Sequence, residues 1–127
     1  MILDTNALSG LAGGEEGLVE ILSRESVHHL PVIVLGEFRY GLIRSQLRKS
    51  LESWLKNLEA KSRILPVDLN TVVHYSIVRE ELRKKGRPIP ENDVWIAALA
   101  HQHRLSIASR DTHFDHVSGI HRLGWNL

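Results

Sequence analysis

The sequence predicts an α/β fold: one domain over residues 1–127, with a parallel central sheet of about five strands and helices on both faces. Three observations predict it. Short apolar segments alternate along the chain with longer stretches of helical periodicity. The chain has 127 residues, 43% hydrophobic and 24% charged, which suits a single core. No internal repeat, low-complexity tract or linker interrupts it.

The first strand is Met1-Ile2-Leu3, and it breaks at once into Asp4-Thr5-Asn6. In open parallel sheets, ligands bind just outside the carboxyl ends of the strands, so Asp4 stands where a site would be. A loop is expected next, because Gly10, Gly13 and Gly14 follow. A short helix over about 15–24 sets Leu18, Ile21 and Leu22 on one face. His28 to Ile33 reads as the second strand, with Pro31 at its start. A helix then begins near Val34 and runs to Leu42, which puts Glu37 in its first turn.

The segment 46–60 has the cleanest periodicity, with Leu47, Leu51, Trp54, Leu55 and Leu58 on one stripe. Ser62 to Pro66 is a brief strand. Asp68 or Asn70 caps the next helix, about 69–85, whose Leu69, Val72, Val73, Tyr75, Ile77, Val78 and Leu82 predict a broad buried face. Basic residues and Gly86 end it. Pro88 and Pro90 enforce a loop, and Asp93 opens a helix of about 92–103. Leu105 to Ala108 is the fourth strand and ends at Ser109-Arg110-Asp111. A turn carries Thr112 to Asp115, Ile120 to Leu123 forms an edge strand, and Trp125 packs near the C-terminus.

No apolar run approaches the roughly 20 residues of a membrane span, and no charged leader precedes the first strand. There are no cysteines, which excludes disulfides and Cys-zinc sites. The cytoplasm is the expected location, with no membrane association. Net charge is only +1, but setting four of the 15 acidic residues in one cleft leaves 11 against 16 basic ones. That balance suits a polyanionic substrate. From charge alone, solvated helix faces explain the basic clusters at 39–49 and 79–87 better.

Asp4 and Asp111 each follow a strand, so both lie on one edge of a parallel sheet. Glu37 and Asp93 each sit near a helix start, and the helix dipole there favours the ionised carboxylate. Four carboxylates in one cleft repel one another unless a cation joins them. Mg2+ and Mn2+ are hard cations that take oxygen ligands, and they activate water and steady the charge of a phosphodiester under attack.

Four segments carry a family resemblance: Leu3-Asp4-Thr5-Asn6, Gly36-Glu37-Phe38, Asn92 to Ala98, and Ser109 to Phe114. Together, in this order and spacing, they resemble the acidic motifs of PIN-domain nucleases, and the length resembles VapC-type toxins of toxin–antitoxin pairs. The resemblance implies an endoribonuclease dependent on Mg2+, with Mn2+ as the alternative ion. It implies Asp4, Glu37, Asp93 and Asp111 as catalytic acids, with Asp4, Asp93 and Asp111 on the metal. Thr5 and Asn6 would support Asp4, and Ser109 would hydrogen-bond near Asp111. It further implies an RNA substrate, a homodimer and a cognate antitoxin, expected to reach the cleft with a basic side chain. Val34 stands where many members carry Ser or Thr, and spacing leaves open whether Asp111 or Asp115 lies nearer the metal.

Other readings fit less well. A haloacid-dehalogenase-type phosphatase needs a second Asp where Asn6 stands. A non-catalytic binding module has no use for four acids. A PIN nuclease in RNA processing, without an antitoxin, is the nearest rival. The eight histidines lack the cysteines or the His-Glu-x-x-His helix of common zinc sites. His101 and His103 read as solvated residues, and His113 and His116, which flank Asp111, as solvated residues or substrate contacts. Arg39 and Arg110 are candidate phosphate contacts, and Trp95 reads as core or partner-facing.

Overall fold

The computed structural model describes residues 1–125. Strand β1 (Ile2–Leu3) is followed by α1 (Thr5–Ala12), α2 (Glu16–Ser23), β2 (His29–Pro31), α3 (Val32–Leu42) and α4 (Arg48–Lys61). Then come β3 (Arg63–Leu65), α5 (Leu69–Lys84), α6 (Glu91–His103), β4 (Ile107–Ala108), a 3-10 turn (Thr112–His116) and β5 (Arg122–Leu123). All pairings are parallel and the strand order is β3-β2-β1-β4-β5. Ile2, Leu3, Leu30, Ile107 and Ala108 are fully buried, as expected where helices cover both faces of a parallel sheet. Among the described residues, no helix is long and apolar enough to cross a membrane.

The strand order reverses between β1 and β4. From β1 the chain proceeds outward through β2 to β3, and the other edge is built later by β4 and β5. Such a reversal opens a crevice at the carboxyl ends of the two central strands. Asp4 and Ser109 stand there, each one residue beyond its strand.

The structure departs from the sequence reading in several places. Where Gly10, Gly13 and Gly14 predicted a loop, the chain forms α1, capped by the Asp4 carboxylate accepting from the Thr5 amide at 2.8 Å. Gly10 lies inside this helix because α2 crosses too close for a side chain. A Cβ there would stand 2.8 Å from the Glu15 carboxylate and 2.9 Å from Leu18. Of these three glycines, Gly14 alone, with φ +70, takes the left-handed conformation, and it lies beyond the helix end.

Pro31 ends β2 rather than starting it, and the strand turns into α3 without a loop. Consequently α3 begins two residues earlier than expected, and Glu37 falls in its second turn, beyond the strongest influence of the helix dipole. Val34 is fully buried and faces the core.

Leu47, expected on the buried stripe of α4, is exposed; Leu55 is fully buried and Leu51, Trp54 and Leu58 pack partly against the core. The broad face expected on α5 is likewise mostly open. Val78 and Leu82 are buried, while Leu69 (85%), Val73 (57%), Ile77 (51%) and Val72 (48%) are exposed. This helix packs chiefly on α6, and among the described residues its second apolar stripe is left exposed. Asp68 is its N-cap, in a reciprocal capping box with Thr71.

Candidate metal centre at the sheet switch point

Asp4, Thr5, Asn6, Glu37, Asp93 and Asp111 line one cleft of about 590 Å³ above the switch point. Each side chain arrives by a local device. Asp4 is held at the end of β1 and is 96% buried (4% exposed). Its Oδ1 accepts from the Thr5 amide at 2.8 Å, and its Oδ2 accepts from the Ser109 hydroxyl at 2.6 Å. Ser109 is itself fully buried and, through the same oxygen, accepts from the Asp111 amide at 2.9 Å. One hydroxyl therefore ties the ends of β1 and β4 together and fixes the turn that carries Asp111.

Asn6 completes the lacing. Its amide nitrogen donates to Ser109 Oγ at 3.2 Å, and its carbonyl oxygen accepts from the Arg110 amide at 3.1 Å. Its reach to Asp4 is a marginal 3.5 Å, so its chief action is on the β4 end rather than on Asp4. Thr5 donates its hydroxyl to Glu37 Oε1 at 3.1 Å, which joins α3 to the same cleft. Asp93 enters from the first turn of α6, where free amides and the helix dipole face it.

His113, placed only as a solvated residue or substrate contact from the sequence, belongs to this cleft. Its Nδ1 lies 2.9 Å from Asp111 Oδ1 and 3.2 Å from Asp93 Oδ2. Donor atoms of Asp93, Asp111 and His113 all fall within 4.8 Å of one another. The signal was present in Asp111-Thr112-His113, since an aspartate that caps a turn accepts from the amide two residues on and so stands beside that residue.

Asp115, which spacing left as a rival, is a surface residue bound by Arg122 at 2.8 and 3.0 Å. That guanidinium holds its carboxyl below the usual range. Neither candidate phosphate contact reaches into the cleft freely. Arg39 pairs with Glu59 at 3.1 Å, and Arg110 pairs with Glu15 at 2.6 Å while lying over the Trp125 ring. Arg48, Arg79, Arg83 and Lys85 also pair with acids on exposed faces. Trp95 is half-buried and stacks on Tyr75 with ring centroids 3.9 Å apart.

The electrostatics favour a cation. Burial raises the Asp4 carboxyl above its ordinary value; the Ser109 and Thr5 hydrogen bonds pull it back, and the charges of Glu37 and Asp111 add to the rise. Burial, with the charges of Asp4 and Asp111 added, pushes Asp93 up to about 6 against the hydrogen bond with His113. Carboxylate oxygens with one imidazole nitrogen, converging on a shared point, suit a divalent ion.

The sign of the pH dependence follows. Between the ordinary 3.8 and about 6, folded Asp93 keeps a proton that the unfolded chain has released. Without metal, its contribution to stability therefore falls as pH rises through that window. Each pKa unit is worth about 1.4 kcal/mol, and solvent in the open cleft reduces the total to about 1–2 kcal/mol. Mg2+ or Mn2+ should raise the melting temperature of wild type clearly at pH 7 and much less at pH 5, with Asp93→Asn protein responding little at either. Equal metal responses of wild type at both pH values would count against this assignment.

The sequence and the fold match a known group. The PIN domain family model matches residues 1–120. Ribonuclease VapC5 of Mycobacterium tuberculosis is 30% identical over 120 residues, 93% of this chain and 87% of that protein. Toxin FitB of Neisseria gonorrhoeae is 32% identical over 124 residues, 88% of each chain. The solved VapBC-5 complex of M. tuberculosis, described as a member of the VapBC family of toxin–antitoxin systems, superposes with a TM-score of 0.75. It is 22% identical and covers 99% of this chain and 97% of its own. The chain thus belongs to the PIN-domain family, among its VapC-type members.

Proposed function

We propose that this protein is a cytoplasmic endoribonuclease, dependent on Mg2+ or Mn2+, that acts as the toxin of a toxin–antitoxin pair. The observation that carries the reading is the convergence of Asp4, Glu37, Asp93 and Asp111 on one cleft at the sheet switch point. Relatives named as a ribonuclease and a toxin support it.

Asp4, Asp93 and Asp111 hold the ion in this reading. When bound, the ion supplies Lewis-acid charge to a phosphodiester and acidifies water. The residues of the chain do the rest. Ser109 and the Thr5 amide favour the ionised form of Asp4 against its burial and hold the carboxylate in place. Glu37, steadied by Thr5 in the same cleft, would take a proton from the attacking water. The cleft is open along its length, which suits a polymeric substrate cut internally.

A partner seat adjoins the cleft. An apolar groove of about 380 Å³ runs between α1, α3 and α4, floored by Phe38, Leu42 and Leu51, and shares Thr5 and Glu37 with the acidic site. Its occupant is an antitoxin helix with an apolar face and a basic side chain at the end that enters the cleft. The exposed stripe of α5, with Leu69, Val72, Val73 and Ile77, is the surface we assign to a homodimer. Val73→Glu should convert a dimer to monomers in light scattering; an unchanged mass would place the dimer contact elsewhere.

The direct test is cleavage of RNA by purified wild type and Asp4→Asn with Mg2+, Mn2+ or EDTA. Cleavage should require metal and vanish in a folded Asp4→Asn protein. A folded, antitoxin-free wild type that cuts no RNA would sink the nuclease reading.

A further inference from the structure

We propose that His113 contributes its Nδ1 as a ligand to the cation held by Asp93 and Asp111, making a mixed nitrogen–oxygen centre that favours Mn2+ and later transition ions over Mg2+. This rests on the reading of the cleft as a metal site and says which ion the site selects.

Three features of the geometry carry it. First, His113 Nδ1 faces two carboxylates at once, at 2.9 Å from Asp111 and 3.2 Å from Asp93. Carboxylates only accept, and one ring nitrogen carries at most one proton, aimed at one acceptor. A hydrogen bond to Asp93 therefore leaves the closer Asp111 oxygen without a proton between it and the ring, and the three donor atoms stand within 4.8 Å of one another around a shared point. Second, the spacing is right. Neighbouring ligands of an octahedral ion with bonds of about 2.1 Å stand about 3 Å apart, and His113 Nδ1 stands at 2.9 and 3.2 Å from its two carboxylate oxygens.

Third, the ring is held in place. The His113 amide donates to Asp111 Oδ1 at 3.0 Å, and the next residue, Phe114, is fully buried. That turn aims the imidazole at the two acids before any ion arrives. Asp4 accepts from the Thr5 amide and the Ser109 hydroxyl through different oxygens and keeps lone pairs on each for the ion, so His113 adds a nitrogen to the three carboxylates.

The chemistry of the donor sets the preference. Mg2+ takes oxygen ligands at near-ideal octahedral geometry and sheds water reluctantly, whereas imidazole nitrogen suits transition ions. A centre of oxygens alone would show little selectivity for nitrogen-tolerant ions.

The experiment uses Mn2+ as the probe, with electron spin resonance of the bound ion and Mg2+ competition. Wild type should show nitrogen-14 modulation from a directly bound imidazole, lost when histidine is supplied with nitrogen-15. His113→Ala should lose that signal, bind Mn2+ about tenfold more weakly and bind Mg2+ within about twofold of wild type. His113→Asn, which keeps a polar group on the turn, should do the same. Bound Mn2+ with no nitrogen coupling, or equal weakening of both ions, overturns the proposal and leaves the metal site standing. No Mn2+ binding by wild type, or unchanged binding by Asp111→Asn, overturns the metal site along with it.

Discussion

Asp93→Asn is expected to abolish metal-dependent RNA cleavage, a loss on the order of a thousandfold or more, while leaving the metal-free protein as stable as wild type or more so at pH 7. The first effect follows from the proposed role of Asp93 in holding the ion, because Asn takes away a charged oxygen ligand. The second follows from burial and from Asp4 and Asp111, which together disfavour the ionised Asp93 and hold its carboxyl at about 6. Asn has the same shape but no charge, so the repulsion is relieved when the function is lost. Single-turnover cleavage and thermal unfolding in EDTA test the two halves on one sample. Loss of activity together with a fall in EDTA stability would instead make Asp93 a structural helix-start residue. The same substitution should weaken a cognate antitoxin that enters the cleft with a basic side chain.

Phe114→Ala is expected to destabilise the fold by about 3–5 kcal/mol, which lowers the melting temperature by roughly 10–20 °C for a chain of this size. Phe114 is fully buried and belongs to the core although it sits in a 3-10 turn of five residues. That turn carries His113 and is capped by Asp111, whose carboxylate accepts from the His113 amide. The large ring anchors a turn too short to hold its own shape. Phe114→Leu should cost far less, because most of the volume is kept. A change under about 1 kcal/mol for Phe114→Ala would mean that the turn is held by its hydrogen bonds alone.

The acids of the site were readable because each follows a recognisable break. Asp4 interrupts an apolar run, Asp111 follows Ile107-Ala108-Ser109, and Asp93 follows two prolines that stop a helix. Glu37 was readable as a cleft residue, but its helix position was not. The turn from β2 into α3 occurs at Pro31 itself, and proline at a strand end and at a helix cap look alike in sequence. Helix α1 was hidden for a similar reason. Gly10 argues against a helix by propensity, yet the close approach of α2 demands it there. The exposure of Leu69 and Leu47 was equally hidden, since an apolar stripe marks a face able to pack without saying what packs on it.

By itself, the sequence determined the alternation of strands and helices, the parallel sheet that alternation requires, and the acids at strand ends and helix starts. Those are local properties, set by the spacing of apolar residues and by turn chemistry along neighbouring positions. The tertiary structure decided the strand order β3-β2-β1-β4-β5, which lays β1 beside β4. Only that pairing brings the Ser109 hydroxyl to 2.6 Å from Asp4 across 105 positions of chain, and sets Asp93, Asp111 and His113 around one point. Contacts so distant in sequence depend on which strand edges meet, and that is settled by burying the apolar faces of the whole chain at once.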